Sequence, residues 1–121
     1  PTNSRSRARR VWSDSTGHLW ITEWNAGILG MYDPVTKKWK EWKLPGQNPQ
    51  PYAIFVDDKD MVWISDFGSN AIVRFNPSVE EFQSFPFPSP DAKVRQLLGR
   101  TGEILGAESA TDKIVIIRTT K

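Results

Sequence analysis

The feature that most constrains the fold is a seven-residue segment that occurs three times along the chain. The copies read GHLWITE at residues 17–23, DMVWISD at residues 60–66 and GEILGAE at residues 102–108, so they are spaced by 43 and 42 residues. Each copy begins with a turn-forming residue, continues with apolar residues and ends in a carboxylate. A repeat of about 40–50 residues is typical of the four-stranded blades of a β-propeller.

Each repeat contains short segments that are rich in β-branched and aromatic residues and are separated by turn formers. No segment shows helical periodicity of useful length, so the predicted class is all-β, built from propeller blades of four antiparallel strands. The pattern predicts a polar basic tail at residues 1–8, a first blade at residues 9–50 and a second blade at residues 51–92. Residues 93–121 are predicted to form a third blade that lacks its outer strand.

Three blades are too few to close a ring, because propellers usually contain four to eight. Stacked repeats also leave apolar faces open at the two ends of the array unless something covers them. The sequence leaves two explanations open. The favoured one is that the chain is the C-terminal part of a longer propeller of six or seven blades. The other is self-association, for example of two three-bladed halves that form six blades.

Charge and composition argue against several classes of partner for this chain. The formal net charge is only +2, which gives no reason to expect a nucleic-acid or membrane partner. The one local excess of charge is an arginine-rich N-terminal segment, interpreted as a solvated end. No apolar run reaches the ~20 residues of a membrane span, and the chain has no cysteine. The sequence does not indicate the cellular compartment.

Beyond the repeated segments, further residues match between the first two copies. YDP at residues 32–34 returns as FNP at residues 75–77, after NAIVR at residues 70–74. With the LWITE and VWISD segments, this pattern resembles the blades of the streptogramin (virginiamycin B) lyase family and the wider group of propellers with NHL-type repeats. The resemblance implies an enzyme that opens a cyclic lactone by elimination, with histidines, glutamates and Mg²⁺ in a central funnel.

The chain departs from that family at the position that matters most for catalysis. Family members carry key histidines in strand starts of the type Pro-His-x-Ile, and here Tyr52 follows Pro51 instead. The third copy offers Val94 or Arg95 there, depending on where a one-residue gap falls. The only histidine, His18, belongs to a turn. Proton abstraction needs a base within reach of the substrate, so lyase chemistry by this chain alone is not expected.

The carboxylates that end the repeated segments are candidates for a metal site. Glu23, Asp66 and Glu108 occupy equivalent positions on successive blades, which predicts that they lie at one level around the propeller axis. Oxygen ligands of this kind suit Mg²⁺ or Ca²⁺. The alternative, which is favoured, is that each carboxylate accepts hydrogen bonds from backbone N–H groups in the following turn.

Four other side chains are candidates for binding a small molecule. Arg95 stands at an inner-strand start, where its guanidinium group could bind a carboxylate or carbonyl or instead form a salt bridge. Tyr52 is placed either at the mouth of the funnel or in inter-blade packing. Trp24 and Phe67 follow two of the carboxylates and are expected at the rim. The mid-strand Trp20 and Trp63 are predicted to pack between blades.

Three functions therefore remain as hypotheses. The chain could be part of a lyase-like enzyme that acts on a cyclic lactone with a divalent metal. It could instead be a non-catalytic propeller that binds a small molecule, glycan or protein. A lactonase-type hydrolase with carboxylate-held Ca²⁺ is the third. Whether the chain is an enzyme, and which cofactor it uses, are not fixed by the sequence, because one fold hosts many functions.

Overall fold

A computed structural model describes residues 8–87, 92–100, 102–108 and 113–118, and within them the chain forms three antiparallel sheets and no helix. The first sheet has the order β1-β2-β3-β4 and the second the order β5-β6-β7-β8. The third has the order β11-β10-β9. The strand bounds are β1 Ala8–Ser13, β2 Leu19–Glu23, β3 Ile28–Asp33, β4 Lys38–Lys43, β5 Pro51–Val56, β6 Val62–Asp66, β7 Ala71–Asn76, β8 Glu81–Pro86, β9 Val94–Arg100, β10 Glu103–Glu108 and β11 Lys113–Arg118.

This arrangement confirms the predicted class, an all-β partial propeller. The strands correspond to the short segments rich in β-branched and aromatic residues that turn formers separate in the sequence. The predicted tail lies outside the described residues except for Ala8, and so does much of the linker at residues 88–92. The described residues include no helix of the length and hydrophobicity that a membrane span requires.

The burial of each strand follows from its place between sheets. All five residues of β6 are buried, because sheets pack against both faces of the second sheet. In the outer strands β4 and β8, by contrast, two residues of each are half-buried and the other four are exposed. On β4, Trp39 and Trp42 are the half-buried residues and the charged residues between them are exposed. Mostly exposed residues are expected of these strands, because each lies at the outer edge of its sheet.

Two apolar layers hold the three sheets together, and each has a tryptophan at its centre. Trp20 is 1% exposed and stacks on Trp42 of its own sheet, with ring centres 5.7 Å apart, and it also contacts Phe75 of the second sheet at 5.9 Å. Trp63 is likewise 1% exposed and lies in the layer between the second and third sheets. The prediction that both tryptophans pack between blades is confirmed.

A turn aspartate fixes each of these tryptophans. The indole N–H of Trp20 donates to Asp14 Oδ2, and that of Trp63 donates to Asp57 Oδ2, in both cases at 2.8 Å. The other oxygen of each aspartate accepts backbone N–H groups of its own turn. A buried indole N–H needs such a partner. In the third repeat Leu105 replaces the tryptophan, and no aspartate stands before it at the matching position.

Candidate functional site

The inner strands β1, β5 and β9 are neighbours. Each carries a β-bulge where it pairs with the C-terminal end of the next strand, which is β2, β6 or β10. In the second sheet Pro51 pairs with Asp66, and regular pairing resumes only at Ile54. In the third sheet Val94 pairs with Glu108, and pairing resumes at Leu97. A bulge re-aims side chains and is common beside binding sites.

This register decides where the one-residue gap between repeats falls. Because Val94 matches Pro51, the residue equivalent to Tyr52 is Arg95, and the gap lies further on, in the β9–β10 turn. Arg95 is exposed at that position. The sequence leaves Val94 and Arg95 as alternatives, and only the pairing of β9 with β10 separates them.

The structure brings three of the predicted ligand-binding residues into one aromatic cluster, formed by Trp24, Tyr52 and Phe67. The rings of Tyr52 and Phe67 are stacked, with centres 5.0 Å apart and planes 12° apart. Trp24 stands edge-on to both rings, at 5.7 Å from Tyr52 and 5.4 Å from Phe67. All three side chains are half-buried rather than enclosed. The cluster therefore joins two neighbouring turns and an inner strand at one end of the sheets.

Arg10 adds a positive charge to the aromatic cluster, and sequence reasoning missed it. Its guanidinium carbon lies 5.0 Å from the centre of the Tyr52 ring, within the range of a cation–π contact. A hydrogen-bond chain between the sheets holds the pair. Backbone N–H of Arg10 donates to Thr22 Oγ1, which donates to the carbonyl of Tyr52. The only sequence feature that could have indicated this contact is the arginine-rich composition of the N-terminal segment, and that composition fits a solvated tail equally well.

The three repeat-equivalent carboxylates are all buried, at 0% exposure for Glu23 and Asp66 and 2% for Glu108. Asp66 accepts hydrogen bonds from the backbone N–H of Gln50 at 2.7 Å and of Gly68 at 2.9 Å. It also accepts one from the Ser69 hydroxyl at 2.8 Å. Asp66 thus has the turn-stabilising role that the sequence favours.

The described residues do not fit the Mg²⁺ or Ca²⁺ site that the sequence raised. The three carboxylates lie on different sheets, and no group of three His, Cys, Asp or Glu side chains in the described part of the chain is arranged to hold a metal ion. The Glu23 carboxylate packs closely against Gly30 of its own sheet. A Cβ atom added at Gly30 would lie only 2.9 Å from Glu23 Oε2. The function proposed below therefore has no step that passes through a metal ion.

His18 lies at the opposite end of the strands from the aromatic cluster, in the β1–β2 turn. Its Nδ1 is 2.7 Å from Thr16 Oγ1, and its Nε2 is 3.4 Å from Asp33 Oδ2. It lines a cleft of about 350 Å³ that Met31 and Met61 also line. Because the two sites are at opposite strand ends, the histidine does not serve a molecule bound on the aromatic cluster.

Two carboxylates beside His18 are held ionised by their surroundings. Partial burial acts to raise the pKa of Asp14, but hydrogen bonds from Trp20, Thr16 and the backbone of His18 outweigh it, so its pKa lies below the usual 3.8. For Asp33, desolvation also acts upward, and hydrogen bonds from the following turn bring its pKa below 3.8.

We expect Asp14 and Asp33 to make the fold sensitive to acid. A carboxylate whose pKa is lower in the folded state stabilises that state above its unfolded value near 3.8, and the stabilisation is lost as the pH falls through the lowered pKa. Urea unfolding followed by tryptophan fluorescence should therefore give a free energy of unfolding that declines below about pH 4. Asp14→Asn should flatten that decline, and an unchanged slope in the variant would contradict the assignment.

Together, the fold and the site define an all-β partial propeller with an aromatic and cationic cluster at one end. No protein-family model matches the chain, and no curated protein matches it in sequence. Its relationships are visible in the fold instead, through similarity to solved structures.

Among solved structures, the chain is similar to streptogramin B lyase, with a TM-score of 0.84 at 19% identity, covering 100% of this chain and 43% of that one. It is also similar to a catalytically inactive virginiamycin B lyase from Staphylococcus aureus with quinupristin, with a TM-score of 0.81 at 19% identity. That match covers 100% of this chain and 44% of the lyase. The resemblance stated from the sequence is thus confirmed at the level of the fold, over less than half of the lyase chain.

A third similarity is to the extracellular domain of a B. thetaiotaomicron protein, with a TM-score of 0.76 at 19% identity. It covers 94% of this chain and 15% of that one. Similar blades therefore occur outside the lyases. At this level of identity, the similarities establish the fold, and the activity has to be argued from the site.

Proposed function

We propose that this chain is a ligand-binding part of a propeller of the streptogramin-lyase type, and that the ligand lies on the Trp24, Tyr52 and Phe67 cluster. The observation that carries the proposal is that these three rings meet at the end of the sheets while remaining half-buried. Half-buried rings also occur in blade packing, as Trp42 and Phe85 show, but those two stack on Trp20 and Trp63 in the core layers. The three rings of the cluster instead contact one another at the strand ends.

The asymmetry of the cluster supports a binding role over a structural one. Trp24 and Phe67 stand at equivalent repeat positions, but the third repeat has Ser109 there. Tyr52 is likewise replaced by Arg95 in the third repeat. A role in building every blade would favour the same residue type in each. The aromatic surface is confined to the first two blades, with an exposed cation on the third.

The chemistry of the cluster defines the class of ligand. Aromatic faces and edges favour a flat or apolar ring, and each aromatic contact contributes about 0.5–1.5 kcal/mol beyond the area it buries. Arg10 and Arg95 provide guanidinium groups that suit a carboxylate or carbonyl oxygen. We therefore propose a small molecule with an aromatic ring and a nearby carbonyl or carboxylate. Quinupristin, which is named with the similar lyase structure, is the logical first probe.

We expect binding without turnover. Tyr52 stands where the lyase family carries a histidine, and its side chain lacks the imidazole nitrogen that would accept a proton there. His18 lies at the other end of the strands, in the β1–β2 turn. The described residues at the aromatic cluster include no histidine. The lyase and hydrolase hypotheses thus become alternative outcomes of the same experiment.

The test is titration of the chain with quinupristin, followed by tryptophan fluorescence and calorimetry, with chromatography and mass spectrometry of the recovered ligand. Tyr52→Ala should weaken binding by about 10-fold or more, because it removes the central ring and the partner of Arg10. Val35→Ala, which changes an 89% exposed residue in the β3–β4 turn, is the control and should bind normally.

Each hypothesis gives a different readout. Elimination breaks the lactone C–O bond and moves a proton off carbon, so the product is an isomer of unchanged mass that elutes differently. Hydrolysis adds the mass of one water. Recovery of intact quinupristin with Tyr52-dependent binding supports the proposal. Absence of binding, or equal binding by Tyr52→Ala and Val35→Ala, would contradict it.

A further inference from the structure

The array of three sheets has two open ends, and both carry exposed apolar side chains. On the third sheet, the face turned away from its neighbour exposes Leu98 by 50%, Ile114 by 72% and Ile116 by 46%. These residues line a shallow groove of about 370 Å³. On the first sheet, the face turned away from the second sheet includes Val11, which is 57% exposed. Such contiguous apolar surface marks an interaction site.

The two interfaces already present in the chain show what such faces pack against. At the first interface, the first sheet contributes the face that carries Trp20 of β2. At the second interface, the second sheet contributes the face that carries Trp63 of β6. The next sheet contributes its opposite face, which at the first interface carries Ile64 and Phe75. The chain thus uses one head-to-tail type of contact twice. Below, the first kind of face is called the tryptophan face and the second the isoleucine face.

The two open ends are the unused halves of this same contact. On the third sheet the open side is its tryptophan face, since Leu105 stands at the position of Trp20 and Trp63 and shares that side with Ile114 and Ile116. On the first sheet the open side is its isoleucine face. It carries the repeat equivalents of Ile54, Val62, Ile64 and Phe75, which are Val11, Leu19, Ile21 and Tyr32. On the outer strand β4 the same face also carries the exposed Glu41 and Lys43, where the second sheet has Ser84 and Pro86.

We propose that the open tryptophan face of one molecule packs on the open isoleucine face of a second copy of this chain. The two faces cannot meet within one molecule, because the second sheet lies between them. Two copies joined head to tail at both ends would give six blades, which falls within the four to eight of closed propellers. Such a ring has two-fold symmetry with two identical contacts and no open end.

The proposal is tested by native mass and dissociation constant, from light scattering and sedimentation over a range of concentrations. The parent chain should be a dimer. Ile114→Glu and Val11→Glu should each weaken it by about 100-fold or more, because each would bury a charge in an apolar interface. Val35→Glu is the matched control. Val35 is 89% exposed in the β3–β4 turn, away from both open faces, so this variant should remain dimeric.

A mixing experiment distinguishes head-to-tail packing from its alternatives. A 1:1 mixture of Ile114→Glu and Val11→Glu contains one intact pair of faces, so it should recover dimers that neither variant forms alone. If like faces paired instead, Val11→Glu would leave a dimer joined through Ile114, and mixing would restore nothing. A monomeric parent, or a dimer insensitive to both variants, would overturn the proposal. Circular dichroism should show intact β-structure in both variants, since the altered side chains are exposed.

Discussion

Trp63→Ala is expected to lower the free energy of unfolding by about 3–5 kcal/mol, the range for removing a large buried aromatic side chain. Trp63 is 1% exposed between the second and third sheets and stacks on Phe85, with ring centres 5.9 Å apart. The substitution leaves a cavity in that layer. It also removes the indole donor from Asp57 Oδ2. Urea unfolding monitored by circular dichroism measures the change.

Two control variants separate the contributions to this effect. Trp63→Phe keeps most of the ring and removes the hydrogen bond to Asp57, so we expect a smaller loss of about 1–2 kcal/mol. Trp12→Ala removes a tryptophan that is 37% exposed, and its cost should be well below that of Trp63→Ala. Equal losses for Trp12→Ala and Trp63→Ala would show that the buried layer is not what holds the second and third sheets together.

Asp66→Ala is expected to cost about 2–4 kcal/mol, because it leaves buried backbone donors without an acceptor. Its carboxylate accepts from the N–H groups of Gln50 and Gly68 and from the hydroxyl of Ser69. These contacts tie the linker between the first two sheets to the β6–β7 turn. Ser69→Ala removes only one of the three bonds, so it should cost about 1 kcal/mol.

The same variant separates a turn-stabilising role from a metal-binding role. If Asp66 acts only through these hydrogen bonds, the parent protein and Asp66→Ala should differ in melting temperature by the same amount with and without Ca²⁺ or Mg²⁺. A metal ligand would behave differently. The ion would raise the melting temperature of the parent, because a ligand that binds only the folded state stabilises it, and Asp66→Ala would abolish that rise.

The sequence predicts the members of the candidate site but not its geometry. Trp24, Tyr52 and Phe67 follow from their repeat positions, and the structure places their rings in contact. Arg10 is missed, since its contact with Tyr52 depends on how β1 lies beside β5. Arg95 cannot be separated from Val94 until the bulge in β9 is known.

The sequence by itself determined the all-β class, the strands and the turns between them. Those properties are local. Alternating side chains mark a strand, and a residue that tolerates positive φ marks the turn before each of β2, β6 and β10, namely Gly17, Asp60 and Gly102, with φ of 88°, 59° and 80°. The tertiary structure decided which residues meet, including the aspartate partner of each tryptophan, the cation on the aromatic cluster and the two complementary open faces. These contacts join residues far apart in the chain, so they depend on strand register and sheet packing, which local sequence patterns do not specify.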